Sequence, residues 1–351
     1  MIKLSQKQQR IIGIFLEKEE RQSSDVHAEI IKLGEEVSLV TIKRALSEMA
    51  GRGLLAATGS GRSRGYSLTA LGRISAEVDA GKYCAIEPDK RRGLGRYNFE
   101  LLPSLPDNLF TEEEQESLNN ATAEYLRRTK DLPAAIQKKE LERLVIELAW
   151  KSSKIEGNTY TLLDTEKLIL ENREAPGHSK QEARMILNHK DAFNYIRANS
   201  RQFKTVTRKN LEELHAILVK DLSVGLGLRT KPVGVTGSKY LPLDNIHQIA
   251  EAVSGLTAAV FRMPNPYAKA LSALLGIGYI QPFEDGNKRT ARLMANGLLF
   301  SHSLAPLSYR SVDENDYREA MLVFYELNTI APMKKIFIGQ YVFAAQNYAV
   351  K

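Results

Sequence analysis

The residues that decide the fold of this chain read Gln281-Pro282-Phe283-Glu284-Asp285-Gly286-Asn287-Lys288-Arg289-Thr290-Ala291-Arg292. They predict a polar loop that leads into a helix with an apolar, buried side. The glycine allows the loop backbone to curl so that its N–H groups point inward, and the N-terminus of the helix adds a partial positive charge. The loop therefore has the properties of a phosphate-binding site.

Three charged residues of this stretch fit the same chemistry. Arg289 and Arg292 are three residues apart, so both project from one face of the first helical turn and can bind successive phosphates. Asp285 is placed to hold a divalent cation, because magnesium is usually bound through one or two carboxylates and the nucleotide itself. A capped surface helix with two solvated arginines has the same spacing, so spacing alone leaves both interpretations open.

The stretch resembles the signature of the Fic family, His-x-Phe-x-Asp/Glu-Gly-Asn-Gly/Lys-Arg-x-x-Arg. The matching positions are Phe283, Asp285, Gly286, Asn287, Arg289 and Arg292. In that family the histidine is the general base for a protein hydroxyl that attacks the α-phosphate of ATP. The resemblance implies an adenylyltransferase that uses ATP and Mg²⁺ and transfers AMP to a Ser, Thr or Tyr of a target protein or of the chain itself.

The resemblance also implies a role for each residue of the loop. Asp285 is expected to bind Mg²⁺, and Gly286 with Asn287 is expected to form the anion hole. Arg289 and Arg292 are expected to hold the β- and γ-phosphates.

One position departs from the signature, because Gln281 stands where the family has its catalytic histidine. A neutral amide cannot accept a proton at physiological pH, so a general-base contribution of about 10² to 10⁴ in rate is missing. We therefore expect AMP transfer by this chain to be much slower than with histidine at this position. A natural and an engineered replacement are both compatible with the otherwise intact signature.

Lys288 replaces the second glycine of the signature and joins the phosphate-binding residues. Lysine at this position is a feature of the Doc branch of the family, which transfers phosphate instead of AMP with the nucleotide reversed. Asp285 and Gly286 look like the AMP-transferring branch. AMP transfer is the favoured interpretation, and a Doc-like phosphotransferase is the alternative.

A second motif lies upstream, in Ser152-Ser153-Lys154-Ile155-Glu156-Gly157-Asn158. It is similar to the family's inhibitory motif, Ser/Thr-x-x-x-Glu-Gly/Asn, at Ser152, Glu156 and Gly157. In the family this glutamate pairs with the second arginine and displaces the γ-phosphate, which implies autoinhibition through Glu156 and Arg292. A carboxylate and a phosphate can compete for one guanidinium in this way. A solvated glutamate at a helix C-terminus is the alternative.

The segment from Arg229 to Pro242 differs from the helical remainder of the chain, because Val233 and Val235 alternate with other residues and Gly237-Ser238 can turn a hairpin. It resembles the family's flap, which holds a target segment by main-chain pairing. The residues expected at the target are Val233, Val235, Gly237 and Tyr240. A surface hairpin without this role looks similar.

Residues 1–75 predict three short helices and a basic, glycine-rich hairpin, an order that resembles a winged helix-turn-helix. The third helix begins at Ser38, and Ser24-Asp25 is expected to cap the second. Binding to double-stranded DNA would use Lys43 and Arg44 on the third helix and Arg62 and Arg64 on the wing. A protein-interaction module is the alternative, because the basic residues alternate with glutamates.

The expected fold is mainly α-helical: a winged helix-turn-helix at 1–75, a linker at 76–105, a helical region with the inhibitory motif at 106–205, and an all-helical Fic core with a β-hairpin flap at 206–351. A capping box at Thr111–Glu114 and helices near 164–171, 181–199, 207–222, 243–262 and 267–280 support it.

Composition restricts the classes of protein that fit. A single cysteine excludes an intramolecular disulfide framework, and no stretch reaches the roughly 18 apolar residues of a membrane span. We therefore expect a cytoplasmic protein without a membrane partner. The net charge of +7 is compatible with a polyanionic partner. The histidines show no metal-ligand spacing, and a homo-oligomer is compatible with the sequence.

Overall fold

The computed structural model describes residues 3–18 and 20–350, apart from the side chain of Arg62. It divides into two compact units. The first comprises residues 1–106, 234–241 and 319–333, and the second comprises residues 107–233, 242–318 and 334–351. The predicted linker, 76–105, thus lies in the same unit as the predicted winged helix and part of the flap.

The beginning of the chain folds into helices and a small sheet, in the order α1 (Gln6–Glu17), β1 (Glu20–Gln22), α2 (Ser23–Lys32), α3 (Leu39–Gly51), β2 (Leu55–Thr58) and β3 (Gly65–Leu68). The sheet has the order β1-β3-β2, and both pairings are antiparallel. Apolar residues of all three helices, among them Ile11, Ile30 and Leu46, form one fully buried core with the hairpin. The three predicted helices and the hairpin are therefore present.

The predicted cap of the second helix is wrong by two residues. The helix begins at Ser23 with Gln22 as its N-cap, and Asp25 is the third helical residue. The Asp25 carboxylate accepts a hydrogen bond from the Gln22 N–H at 3.0 Å. A side chain of the first helical turn therefore satisfies the N–H of the N-cap residue. Ser38 does cap α3, where its hydroxyl accepts from the Thr41 N–H.

Twelve further helices follow in the described chain: α4 (Ala70–Ile74), α5 (Ala80–Cys84), α6 (Glu112–Thr129), α7 (Ala134–Ile155), α8 (Leu162–Glu171), α9 (Lys180–Ala198), α10 (Arg208–Leu218), α11 (Ile246–Arg262), α12 (Pro266–Ile280), α13 (Asn287–Ser301), α14 (Glu314–Leu327) and α15 (Ala331–Asn347). The capping box at Thr111 and Glu114 is confirmed. The helix expected to reach residue 222 ends at Leu218, because Asp221 and Ser223 take left-handed backbone angles.

Helices α12 and α13 form the centre of the second unit. Every residue from Tyr267 to Ile280 is buried except Lys269, so α12 is apolar on all sides, as expected for a helix surrounded by others. Helix α13 packs against α12 and also contacts α9 and α10. Gly276 permits the close packing of α12 on α11, because a Cβ at this position would lie 2.5 Å from a methyl group of Leu256.

The expected flap hairpin is a turn without strands. Within 229–242, all of which the structure describes, the Ser238 N–H donates to the Val235 carbonyl at 3.1 Å, and Gly237 has a φ of 77°. Apart from this turn bond, residues 229–236 and 238–242 form no strand pairing with each other; Leu241 forms a parallel bridge with Arg96 instead. None of the described helices is both long enough and apolar enough to span a membrane.

Candidate functional site

The signature loop begins where α12 ends. Gln281 is the C-cap of α12 with a φ of 50°, and this left-handed conformation turns the chain out of the helix. Its side chain is buried, and Nε2 donates to the Gly278 carbonyl at 2.6 Å. The residue at the histidine position is therefore held by the helix that precedes it.

Asn287 fixes the shape of the loop. Its Oδ1 accepts from the Phe283 N–H and its Nδ2 donates to the Phe283 carbonyl, both at 2.8 Å. Gly286, the N-cap of α13, has a φ of 78°, and a Cβ there would lie 3.2 Å from Val219. The backbone thus makes a short, tight turn just before the N-terminus of α13. The first N–H groups of that helix have no hydrogen-bond partner within the helix.

His215 supports the loop from beneath. Its ring stacks on Phe283 with centroids 3.8 Å apart, and its Nε2 lies 3.0 Å from the Asp285 carbonyl oxygen, which a protonated Nε2 can donate to. Burial lowers the pKa of His215 to about 4, so the ring is neutral at physiological pH. From the sequence, the histidines were noted only for their lack of metal-ligand spacing, so this role of His215 was missed.

Arg229 braces the other end of the loop, a role that no sequence motif indicated. Its side chain is buried; Nε donates to the Gln281 carbonyl at 2.7 Å, and its backbone N–H donates to the Pro282 carbonyl at 3.0 Å. The remaining guanidinium nitrogens donate to the carbonyls of Lys231 and Leu243. One arginine thus joins the base of the flap to the signature loop, a connection without a local sequence signal.

Arg292 is fully buried and makes three hydrogen bonds to the end of α7. Its Nε donates to the Ser152 hydroxyl, and its Nη2 donates to the Ser152 carbonyl and to Glu156 Oε1, each at 2.8 Å. The guanidinium also lies 5.4 Å from the centre of the Tyr317 ring. The predicted pair of Glu156 and Arg292 is therefore in contact.

Glu156 has a second cationic neighbour. Its Oε2 lies 3.5 Å from Nζ of Lys288, a residue one position before Arg289 in α13. Burial alone would raise the pKa of the Glu156 carboxyl, but attraction to Arg292 and then to Lys288 outweighs it and lowers the pKa. Glu156 is thus an anion held at a site where two cations meet.

Arg289 has unused hydrogen-bonding capacity. It is 2% exposed; Nη2 lies 3.3 Å from Asp285 Oδ2, and Nη1 has no hydrogen-bond partner in the described part of the chain. A buried donor without a partner is costly, which is typical of a site that is completed by a ligand. Nη1 of Arg289 and the adjacent N-terminus of α13 both favour the binding of an anion.

Asp285 is the residue expected to bind magnesium. Its carboxylate is 67% exposed and lies 3.3 Å from Nη2 of Arg289. Among residues 3–18 and 20–350, no three His, Cys, Asp or Glu side chains cluster as a metal site. One exposed carboxylate nevertheless fits Mg²⁺ that is held mainly by nucleotide phosphates.

The predicted target-binding residues differ in accessibility. Val233 and Val235 are half-buried and Gly237 is exposed, whereas Tyr240 is fully buried and its ring lies 5.8 Å from that of Tyr325. Tyr240 therefore supports the flap from inside instead of facing a target. The stacking partner is remote in sequence, so the resemblance that implied a target-facing Tyr240 carried no signal of its burial.

The predicted DNA-binding residues occupy exposed positions where their side chains are described. Lys43 and Arg44 lie on the exposed face of α3, and the Arg64 guanidinium lies 5.4 Å from the centre of the Tyr66 ring. The Arg62 side chain is outside the described residues. DNA binding stays a prediction.

A comparison with known protein families covers the signature loop. Residues 205–299 match the family described as Fic/DOC family, so the chain carries a Fic/DOC family domain. Over 186 residues the chain is 27% identical to a protein adenylyltransferase Fic of Nematostella vectensis, which covers 52% of this chain and 44% of that protein. A protein adenylyltransferase Fic of Drosophila yakuba is 31% identical over 166 residues, or 46% and 34% of the two chains.

Solved structures share the fold. A Fic-domain-containing signalling protein of Bacteroides thetaiotaomicron has a TM-score of 0.56 at 19% identity, covering 66% of this chain and 94% of that one. Fic-1 of C. elegans, residues 134–508, has a TM-score of 0.59 at 17% identity, covering 67% and 72%. The chain spans less than half the length of the curated relatives that it matches.

Proposed function

We propose that this protein is a Fic-type adenylyltransferase that transfers AMP from ATP to a protein hydroxyl, that Glu156 holds it in an inhibited state, and that Gln281 leaves it without a general base. The observation that carries the proposal is the Glu156–Arg292 contact at 2.8 Å beside the partnerless Nη1 of Arg289. The names of the curated relatives supply the reaction class.

The chemistry needs four contributions from the chain. Arg289 binds phosphate through its free donor, and Arg292 binds the γ-phosphate when Glu156 withdraws. Gly286 and Asn287 place backbone N–H groups at the start of α13 around a phosphate. Asp285 would hold Mg²⁺, which lowers the negative charge on the phosphates when it is bound.

The transfer itself exchanges one bond for another. The target hydroxyl oxygen attacks the α-phosphorus, the new P–O ester bond forms, and the bond to the bridging oxygen breaks as pyrophosphate leaves. The hydroxyl proton requires an acceptor near position 281. The Gln281 amide cannot take this proton, so the step is slower by about 10² to 10⁴ than with histidine.

The test restores the base and removes the inhibitor. We expect Gln281→His combined with Glu156→Gly to incorporate label from α-labelled ATP into itself or a partner, whereas the unaltered chain does not. Histidine tolerates the left-handed backbone of position 281, so the substitution introduces no new strain. Absence of transfer would contradict the proposal, and label from γ-labelled ATP would indicate the Doc-like phosphotransferase.

A second candidate function is a nucleotide-sensing regulator that binds DNA. The observation in its favour is the exposed face of α3, which carries Thr41, Lys43, Arg44 and Ser47. Such a face fits a major groove, and the basic residues of the wing fit phosphates. This function is compatible with a Fic domain that binds ATP without turnover.

A further inference from the structure

His189 is a buried polar residue that the proposed reaction does not use. It lies on α9, which packs against α7 and α13, and its side chain is completely buried. Neither Nδ1 nor Nε2 has a hydrogen-bond partner among residues 3–18 and 20–350. Burying an imidazole without partners costs free energy, so its presence at this place calls for a specific reason.

Arg292 and Arg289 are charged neighbours of this ring. Burial lowers the pKa of His189 well below its ordinary value, and the positive charges of Arg292 and then of Arg289 lower it further. A neutral imidazole carries one N–H and one nitrogen with a free lone pair. His189 therefore offers an uncharged hydrogen-bond acceptor to a buried region that contains two cationic donors.

Arg292 has donors left on the edge that α7 does not occupy. Its Nε and Nη2 donate to Ser152 and Glu156, each at 2.8 Å. Its Nη1 is buried and has no hydrogen-bond partner in the described part of the chain. When Glu156 withdraws, the two bonds to Ser152 hold one edge of the guanidinium and the Nη1 edge needs an acceptor of its own.

The imidazole and Nη1 of Arg292 do not bond to each other directly. Buried polar groups that lie near each other without direct contact are commonly joined by an ordered water. A water at this position would accept from Nη1 and donate to the lone pair of the imidazole. Such a link would restrain the guanidinium from the side opposite Ser152.

The lack of charge on this acceptor matters for phosphate binding. A carboxylate in place of His189 would pair with Arg292 as Glu156 does, and it would compete with the γ-phosphate for the same guanidinium. A neutral imidazole accepts a hydrogen bond and leaves the positive charge of Arg292 available.

We propose that His189 is a positioning residue for Arg292: its ring holds the Nη1 edge of the guanidinium through a buried water, so that Nη2 stays directed at the γ-phosphate after Glu156 withdraws. The inference rests on the proposed function, in which Arg292 binds that phosphate. His189 acts through Arg292 and takes no part in the transfer itself.

The first test measures nucleotide binding by calorimetry in the Glu156→Gly chain. His189→Leu removes the acceptor and should weaken the binding of ATP about tenfold, while the binding of ADP changes by less than about twofold. His189→Asn and His189→Gln place an amide oxygen near the positions of Nδ1 and Nε2, so at least one of them should restore the binding of ATP. Equal losses for ATP and ADP in His189→Leu, or rescue by neither amide, would overturn the assignment.

Two further variants separate a specific acceptor from a general disturbance of the core. His189→Asp should weaken the binding of ATP more than His189→Leu does, because the new carboxylate competes with the γ-phosphate. Tyr309→Phe is the matched control, since the Tyr309 hydroxyl is also buried near Arg292 and also lacks a partner in the described chain. It should change the binding of ATP by less than about twofold. A loss in Tyr309→Phe as large as in His189→Leu, or unchanged binding in His189→Asp, would contradict the inference.

Nitrogen NMR of protein with labelled histidines examines the contact without nucleotide. In the unaltered chain, His189 should give the signals of one neutral tautomer whose lone-pair nitrogen accepts a hydrogen bond, and His189→Gln identifies these signals. Arg292→Met should move the lone-pair nitrogen toward the position of a free acceptor. Arg310→Met is the control, because it removes an ion pair to Glu147 at 3.0 Å and should leave the signal in place.

An unchanged His189 signal in Arg292→Met would overturn the inference. Failure of the Glu156→Gly chain to bind ATP would contradict the proposed function instead, and the NMR signals would still decide whether His189 holds Arg292.

Discussion

Glu156 and Arg292 are joined by a hydrogen bond of 2.8 Å, although 136 residues separate them in the chain. Arg292 is completely buried, and Ser152 accepts two further bonds from the same guanidinium. All three contacts come from the last turn of α7 and its C-cap. A nucleotide that needs Arg292 must therefore compete with a preformed set of acceptors.

In the Glu156→Gly background, replacing Arg292 by lysine should weaken the binding of ATP more than the binding of ADP. Lysine keeps the charge but cannot bind two acceptors in the planar geometry of a guanidinium. We expect a loss of about 1.5 to 3 kcal/mol for ATP, the range of a charge-assisted hydrogen bond, and a smaller loss for ADP. Calorimetry at low ionic strength measures both. Equal losses would show that Arg292 does not contact the γ-phosphate, and Arg310→Lys serves as control.

Lys288 should contribute to inhibition through Glu156. Their ion pair at 3.5 Å is partly exposed, so we expect no more than about 1 kcal/mol from it. In the Gln281→His background, Lys288→Met should raise self-labelling by up to about fivefold, less than Glu156→Gly does. Lys154→Met is the matched control, since Lys154 pairs with Glu314 at the same distance.

The effect of Lys288→Met should disappear once Glu156 is absent. A rise in labelling that persists together with Glu156→Gly would place the action of Lys288 on the phosphate instead. A fall in labelling in that background would have the same meaning, because Lys288 would then be a phosphate ligand. Self-labelling in all four combinations of the two substitutions separates these outcomes.

His215 should make the protein less stable in mild acid. Its pKa is lowered to about 4 in the folded state, below the ordinary value, so the unfolded chain takes up the proton first as the pH falls. The stabilisation is therefore complete above about pH 6.5 and is lost as the pH falls toward 4. Between pH 7 and pH 5 the loss is about 2 kcal/mol.

His215→Gln should remove this part of the pH dependence, because glutamine can still donate to the Asp285 carbonyl but does not titrate. Urea unfolding at pH 7 and pH 5 measures the difference. Buried His189 also has a lowered pKa and stays in both proteins, so some acid sensitivity should remain. His247→Gln, at an exposed position, is the control; an unchanged slope in His215→Gln would contradict the assignment.

If the first 75 residues bind duplex DNA, the affinity of the full chain for DNA should fall as salt is added. The logarithm of the binding constant should then decrease linearly with the logarithm of the salt concentration. Each phosphate contact contributes a slope of about −0.9. Arg64→Ala should flatten the slope and weaken all sequences alike, whereas Lys43→Ala or Arg44→Ala should cost more on a preferred site. Lys209→Ala on α10 is the control. Binding without salt dependence, or none at low ionic strength, would favour the protein-interaction module.

The sequence by itself determined the local chemistry. Spacing and capping signals that act within a few residues predict several features. These are the polar loop before α13, its glycine, the paired arginines and the three N-terminal helices. The lack of a base at Gln281 is also a property of one residue type. These features need no knowledge of what lies around them, and the described helices largely match the predicted ones.

Only the tertiary structure decided which remote groups meet. Arg229 braces the signature loop, the neutral ring of His215 lies beneath Asp285, and Glu156 meets a second cation in Lys288. Each of these contacts joins residues that are far apart in the chain. Burial withdraws their charges and dipoles from water, so each depends on partners that local periodicity does not encode. The same burial placed Tyr240 inside the flap, whereas the resemblance to the family's flap implied a position at the target.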